Sequence, residues 1–238
     1  RFKIENTYVV RFKNQIVSAL QIVPFKVKDY EDSYFILGVS TRRDYEGQGF
    51  MKLLMNHVLE VYKGKRIYLQ AYHPEIYVPF GFKESHRHIL YKLDKAKYAL
   101  PSRICLSQDI NHLYDAYNLY VRDFSHYLIR DEDYFNDYLR FRCAAFNDSV
   151  LTFKNEYGQQ GYMIYNDKGK FVYISEFIYS KEYLDDILKT ISVYFYKDIR
   201  IETDCMASIH GEKTDMITMM CNQEDDIPFE KRYINEIY

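Results

Sequence analysis

One stretch decides the fold of this chain: Ile36-Leu37-Gly38-Val39-Ser40-Thr41-Arg42-Arg43-Asp44-Tyr45-Glu46-Gly47-Gln48-Gly49-Phe50-Met51. It begins as an apolar strand, passes through a polar turn that ends in Gly-Gln-Gly, and continues into an amphipathic helix. The chain has only 9 glycines in 238 residues, so two of them one residue apart indicate a special backbone requirement. Because a helix start offers unpaired N–H groups and a positive dipole end, this layout predicts a phosphate-binding loop.

The segments around this stretch predict a mixed α/β domain. Strands are predicted at Thr7–Phe12, Ile16–Val27 and Tyr34–Thr41, with a hairpin turn at Lys13-Asn14-Gln15. The helix is predicted from Phe50 to Tyr62, ending before Gly64, and its apolar face is Phe50, Leu53, Leu54, His57, Val58 and Val61. A strand over Arg66–Tyr72, a short helix over His73–Val78 and a strand over His88–Leu93 complete the first half.

The second half shows a similar order of elements. A polar segment that contains a proline, Asp94–Arg103, predicts a linker, which gives domains at 1–97 and 103–238. The predicted elements are helices at Asp109–Val121 and Glu132–Cys143, strands at Ser149–Lys154, Gln159–Tyr165 and Phe171–Ile178, a helix at Lys181–Phe195, and strands near Ile199–Thr203 and Met216–Cys221. No repeat is visible at the level of the sequence itself.

Composition and charge exclude several function classes. The chain is 47% hydrophobic and carries a net charge of -2, which indicates a globular protein and argues against binding to nucleic acid. It has no apolar run of the length that a membrane span needs. Its four cysteines form no CxxC pair, and His86 and His88 lack further ligands at metal-binding spacing. We therefore expect a reduced, cytoplasmic protein with no metal and no membrane partner.

Two familiar phosphate-binding motifs do not fit the glycine pair. A dinucleotide-binding fold needs Gly-x-Gly-x-x-Gly, and Lys52 stands at the place of the third glycine. A P-loop needs Gly-Lys-Ser/Thr, which does not follow here. The loop therefore belongs to another class of phosphate site.

The run Glu46-Gly47-Gln48-Gly49-Phe50-Met51 resembles the signature of the GCN5-related N-acetyltransferase (GNAT) family, Gln/Arg-x-x-Gly-x-Gly/Ala after a strand and before a helix. Gly49 matches the central glycine, whereas Glu46 replaces Gln or Arg and Met51 replaces a small residue. The resemblance implies that the N–H groups of Glu46, Gly47, Gln48, Gly49, Phe50 and Met51 hold the pyrophosphate of acetyl-CoA. It also implies that Val39, Ser40 and Thr41, on a strand that splays from its neighbour, bond the pantetheine amides.

A second stretch, Ile76-Tyr77-Val78-Pro79-Phe80-Gly81-Phe82, resembles the Tyr-x-x-Phe-Gly-Phe/Tyr segment of the same family. There the tyrosine protonates the departing thiolate, so the resemblance maps the general acid onto Tyr77. The base is left open between His73 and Glu75, which lie just before it.

These motifs, followed by a second half of similar layout, resemble the tandem enhanced-intracellular-survival (Eis-like) group within that family. The resemblance implies an α/β fold with two GNAT-like domains, of which the second is degenerate, because residues 176–181 contain no glycine for a CoA phosphate. It also implies that the usual first strand and helices of the first domain do not precede Arg1 in this sequence.

The resulting function is expected to be acetyl transfer from acetyl-CoA to a primary amine of a small molecule or peptide. Two alternatives stay open: a CoA-binding scaffold without catalysis, and a tandem-domain aminoacyl transferase. The acceptor amine and the oligomeric state, with a homo-oligomer as one option, are not fixed by the sequence.

Overall fold

The computed structural model describes residues 4–100, 102–204 and 207–234, without the side chains of 134 and 214–217. The chain divides into two compact units, one formed by Arg1–Arg87 with Ile217–Phe229 and the other by His88–Met216 with Glu230–Ile237. Of the predicted elements, the strand near Met216–Cys221 includes Met216 and Ile217, whose side chains are outside the description. Pro101 of the predicted linker also lies outside the described residues.

The regular elements follow the predicted order closely. The strands are β1 Thr7–Phe12, β2 Gln15–Pro24, β3 Ser33–Thr41, β4 Arg66–Ala71, β5 Lys83–Leu93, β6 Cys105–Ser107, β7 His126–Tyr127, β8 Ser149–Asn155, β9 Gly158–Asp167, β10 Phe171–Tyr179, β11 Asp198–Thr203, β12 Gly211–Cys221 and β13 Arg232–Tyr233. The helices are α1 Phe50–Val61, α2 Leu113–Val121, α3 Glu132–Phe146 and α4 Leu184–Tyr194. The short strands β6, β7 and β13 were not predicted from the sequence.

The first unit is a mixed sheet with α1 on one face. Strands β1, β2 and β3 form an antiparallel meander, and β4 joins β3 in parallel after the α1 crossover. The end of β12 pairs with β4 in antiparallel fashion. The β1–β2 turn has positive φ at Lys13 (46°) and Asn14 (62°), which is the backbone of a two-residue hairpin turn and confirms the predicted hairpin.

Helix α1 covers the sheet with a face that differs in part from the predicted one. Leu54, Met55 and Val58 are buried and pack with Leu20, Ile22, Ile36, Ile67 and Leu69 of the strands. The prediction was wrong for Leu53 and Val61, which are 58% and 53% exposed, and for His57, which is also exposed. The buried stripe of α1 is formed by residues 51, 54, 55 and 58, and the side chains of Leu53 and Val61 lie beside it.

The second unit is also a mixed sheet, in the order β5-β11-β10-β9-β8-β6. Strands β10 and β11 are parallel and connected through α4, whereas the other pairs are antiparallel. Both units therefore contain three antiparallel strands, a helix and a parallel strand, which confirms the similar order seen in the sequence. The Asp94–Arg103 segment contains a 3-10 helix, Lys95–Tyr98, and Tyr98 is buried in the second unit. No helix in the described part of the chain is long and apolar enough to span a membrane.

Candidate active site

The first feature of the site is the point at which β3 and β4 stop pairing. Their parallel register runs from Ser33↔Arg66 to Ile36↔Leu69, and among the described residues no further pair joins the two strands. Strand β3 nevertheless continues to Thr41, held on its other side by β2. Leu37–Thr41 therefore present a strand edge towards the carboxyl end of the parallel pair, where ligands bind in open α/β sheets.

A bulge in β3 shapes this edge. The β2–β3 register shifts between Ala19 and Gln21, and Gly38, at φ +62°, lies within the shifted part of β3. The bulge is fixed from β2 by Ser18, whose buried hydroxyl lies 2.9 Å from the carbonyl oxygen of Ser40 and 3.0 Å from Oγ1 of Thr41. Of the predicted pantetheine-binding residues, Val39 and Thr41 are half-buried and Ser40 is exposed.

The loop that follows β3 ends in two glycines that need their positive φ. A 3-10 turn over Arg43–Tyr45 leads to Glu46, and Gly47 and Gly49 then adopt φ +72° and +83°. A Cβ added at either glycine would meet no protein atom within 4 Å. Glycine is required here for backbone conformation, and the space beside both positions is open.

Gly49 is the N-terminal cap of α1. The first helical hydrogen bond runs from the N–H of Leu53 to the carbonyl of Gly49, at 2.9 Å, and no side chain of the described residues caps the preceding N–H groups. The first turn of α1 contains no acidic residue. The structure thus places the N–H groups of Phe50 and Met51 at an uncapped, positively polarised helix end that suits a phosphate.

Aromatic packing holds the loop against the β1–β2 hairpin. The rings of Phe12, Tyr45 and Phe50 form a mutually contacting triad with centroid separations of 5.4 to 6.1 Å. Met51 packs against the core of the first unit. The half-buried side chains of Phe50 and Met51 therefore take part in packing, while their backbone N–H groups lie at the start of α1.

The charged and polar side chains of the loop differ in the hydrogen bonds and ion pairs that hold them. Arg42 donates from Nη1 to Oε1 of Gln15 at 2.7 Å, and its Nη2 lies 3.6 Å from Oδ2 of Asp44. The amide of Gln48 donates to the carbonyl oxygen of Asp44 at 3.1 Å. Glu46 is exposed, with its N–H bonded to the carbonyl of Arg43. Sequence reasoning missed Ser18 and Gln15, because their roles depend on contacts across strands.

Tyr77 lies after the other strand of the separated pair. Two 3-10 turns, Pro74–Ile76 and Val78–Phe80, flank it, and Gly81 closes the second turn at φ +86°. These turns replace the single short helix predicted over His73–Val78. The ring of Tyr77 is half-buried and lies 6.3 Å from that of Phe82 in an edge-on contact.

Burial raises the pKa of Tyr77 above its ordinary value of about 10, because the phenolate is poorly solvated there. The hydroxyl consequently stays protonated at neutral pH, as a proton donor must.

The two base candidates lie on the surface before Tyr77. Nδ1 of His73 is 3.3 Å from Oε1 of Glu75, and both side chains are more than 70% exposed. Nothing in their surroundings selects one of them. No group of three or more His, Cys, Asp or Glu residues with metal-binding geometry is found among the described residues.

The second unit has the same strand separation but a different lining. Pairing between β10 and β11 ends at Ile174↔Ile201, while β10 continues to Tyr179. There the hydroxyl of Tyr179 lies 3.2 Å from the carboxylate of Asp204, just beyond β11. Lys181, after β10, pairs with Asp123 at 2.8 Å. The end of β10 is therefore occupied by side chains that bond to one another, and no glycine lies between Glu176 and Lys181.

Comparison with known proteins agrees with this description of the first unit. The family model described as an acetyltransferase (GNAT) domain matches residues 1–85. A search of curated protein sequences finds no significant match. The family match therefore covers the glycine loop and Tyr77, and it ends before the second unit.

Solved structures show that the fold is of the GNAT type. A GCN5-related N-acetyltransferase from Anabaena variabilis aligns with a TM-score of 0.70 at 13% identity, over 92% of this chain and 63% of that one. One from Kribbella flavida aligns with a TM-score of 0.65 at 16% identity, over 91% and 60%. Eis1 from Mycobacterium abscessus aligns with a TM-score of 0.57 at 10% identity, over 90% and 63%. The chain thus spans about three-fifths of the length of these structures.

Proposed function

We propose that this protein is an acetyl-CoA-dependent N-acetyltransferase whose active site lies in the first unit. One observation carries the proposal: the β3–β4 pairing ends at Ile36↔Leu69, beside a glycine loop that opens an uncapped helix. The edge of β3, which can bond amides, and the start of α1, which can bind phosphates, are therefore close together in the chain. In CoA the pantetheine amides and the pyrophosphate are likewise adjacent.

The residues present fit such a ligand. The pyrophosphate would accept hydrogen bonds from the N–H groups of residues 47–51, which lie at the positive end of α1 and, among the described residues, are not capped by a side chain. The open space beside Gly47 and Gly49 allows close approach. The pantetheine amides would bond the free edge of Val39–Thr41 as an added strand does.

The proposed chemistry is direct attack by a neutral amine on the thioester carbonyl. Backbone N–H groups of β3 would stabilise the negative charge that develops on the carbonyl oxygen. The nitrogen–carbon bond forms as the carbon–sulfur bond breaks, and Tyr77 delivers its proton to the leaving sulfur. His73, Glu75 or water would take the proton that the attacking amine loses.

Two measurements test the proposal. Calorimetry with CoA should give binding, and a thiol reagent should detect free CoA released from acetyl-CoA in the presence of a panel of primary amines. Absence of CoA binding would overturn the CoA site. Binding without turnover on any amine would favour the CoA-binding scaffold, and transfer from aminoacyl donors in the absence of CoA would favour the aminoacyl transferase.

We also propose the Eis-like tandem subtype, in which the second unit has lost its CoA site. Support comes from the shared element order, from structural alignments that extend over at least 90% of the chain, and from the Tyr179–Asp204 contact at the end of β10. Saturation with CoA should therefore give one molecule per chain. A stoichiometry of two would contradict a degenerate second unit. The cytoplasmic location and the class of amine stay predictions.

A further inference from the structure

We propose that Arg42 is the side-chain cation that binds the CoA pyrophosphate, and that Gln15 of the β1–β2 hairpin positions it. The inference rests on the proposed function and goes further, because it selects one residue from several basic side chains around the loop. Glu46 stands where the GNAT signature has Gln or Arg, so the loop lacks a side-chain donor at that position. The structure provides a replacement four residues earlier.

Arg42 is fixed by both its backbone and its side chain. Its N–H donates to the carbonyl of Val17 at 2.8 Å, and its Nη1 donates to Oε1 of Gln15 at 2.7 Å. The guanidinium carbon lies 5.5 Å from the centre of the Tyr45 ring. Since the side chain is still 48% exposed, part of its donor fork is open to solvent. A cation held in this way loses little conformational freedom when it binds a phosphate.

The other basic residues of the loop lack this support. Arg43 and Lys52 are exposed, and in the described part of the chain neither has a side-chain hydrogen bond or an ion pair. Their attraction to a phosphate would be screened by solvent, and an exposed ion pair of this kind contributes about 0–1 kcal/mol. Arg42 and Arg43 carry the same charge and are adjacent, so they differ in geometry alone.

The loop carries no net positive charge, so the orientation of its donors determines whether it can bind a phosphate. Within residues 42–46, the two arginines are balanced by Asp44 and Glu46. Asp44 lies 3.6 Å from Arg42, so it also helps to orient the guanidinium. The loop is therefore not a diffuse positive patch, and a phosphate would be held by oriented donors.

The test compares Arg42→Gln with the control Arg43→Gln by calorimetry, using CoA and dephospho-CoA. Arg42→Gln should weaken CoA binding about tenfold, the effect of losing one charge-assisted hydrogen bond, and Arg43→Gln less than about twofold. Dephospho-CoA keeps the pyrophosphate but lacks the 3′-phosphate. Arg42→Gln should therefore weaken the binding of dephospho-CoA by the same factor as the binding of CoA. Gln15→Ala should reproduce part of the loss with the charge retained.

Several outcomes would overturn the inference. Equal losses in the two arginine variants would indicate net charge, and a loss confined to CoA would assign Arg42 to the 3′-phosphate. Unchanged affinity in both Arg42→Gln and Gln15→Ala would remove the role altogether. All of these leave the proposed function intact, whereas failure of the unmodified protein to bind CoA would remove both. Thermal unfolding of each variant shows whether it is folded.

Discussion

Substitution of Gly49 by alanine tests the glycine loop, with Gly64 on the far side of α1 as a matched control. Gly49 is the N-terminal cap of α1 and Gly64 follows its C-terminal end. Their φ values are +83° and +79°, and a Cβ at either position would meet no protein atom within 4 Å. Both substitutions therefore introduce the same backbone strain, about 1–2 kcal/mol for a non-glycine residue in the left-handed region. For a chain of this size, each should lower the melting temperature by about 2–8 °C.

Only Gly49→Ala should affect CoA binding. Its Cβ would project into the open space beside the helix end, and strain at the cap would move the N–H groups of Phe50 and Met51. We expect an affinity loss of at least about tenfold in calorimetry, or about 1.4 kcal/mol, with Gly64→Ala close to the unmodified protein. Equal affinities in two variants of equal thermal stability would refute the assignment of this loop as the pyrophosphate site.

Three further substitutions address the acid, the loop charge and the second unit. Tyr77→Phe should lower kcat and kcat/KM equally, by about 10- to 1000-fold, with the KM for acetyl-CoA little changed, because a proton donor is removed and no phosphate contact is lost. Retention of the full rate with a good acceptor amine would make Tyr77 a packing residue. Glu46→Gln should tighten CoA binding, most clearly at low salt, because it removes a negative charge beside the loop; weaker binding in calorimetry would mean that Glu46 supports the loop. Glu176→Gln should lower the free energy of unfolding in urea by about 3–5 kcal/mol, because it breaks the fully buried, two-point ion pair with Arg130 at 2.9 Å. An unchanged unfolding midpoint would show that this pair adds nothing to stability.

Much of the first unit could be predicted because its signals are local. The bounds of β1, the turn at Lys13 and Asn14, and the start of α1 at Phe50 all depend on residues close together in the sequence. The positive φ at Gly49 follows in the same way from a glycine placed just before an amphipathic helix. Periodicity was less informative about α1, because Leu53 and Val61 are apolar but lie beside the buried stripe.

The parts of the site that could not be predicted depend on pairing between strands. The bulge at Gly38 requires the register of β2 against β3, which no local pattern specifies. The contact between Arg42 and Gln15 joins residues 27 apart, and either residue alone is an ordinary exposed polar side chain. The end of β3–β4 pairing at Ile36 likewise depends on where the two strands diverge.

Strand separation alone does not distinguish the two units. In both, a parallel pair of strands diverges after four paired residues, and a helix follows the longer strand. In the first unit the divergence leads into glycines with open space beside them. In the second it leads into Tyr179 and Lys181, whose side chains are bonded to Asp204 and Asp123. A phosphate would have to displace these contacts and approach a backbone that carries side chains at each position. The proposed restriction of CoA binding to the first unit therefore rests on a few residues at one strand end.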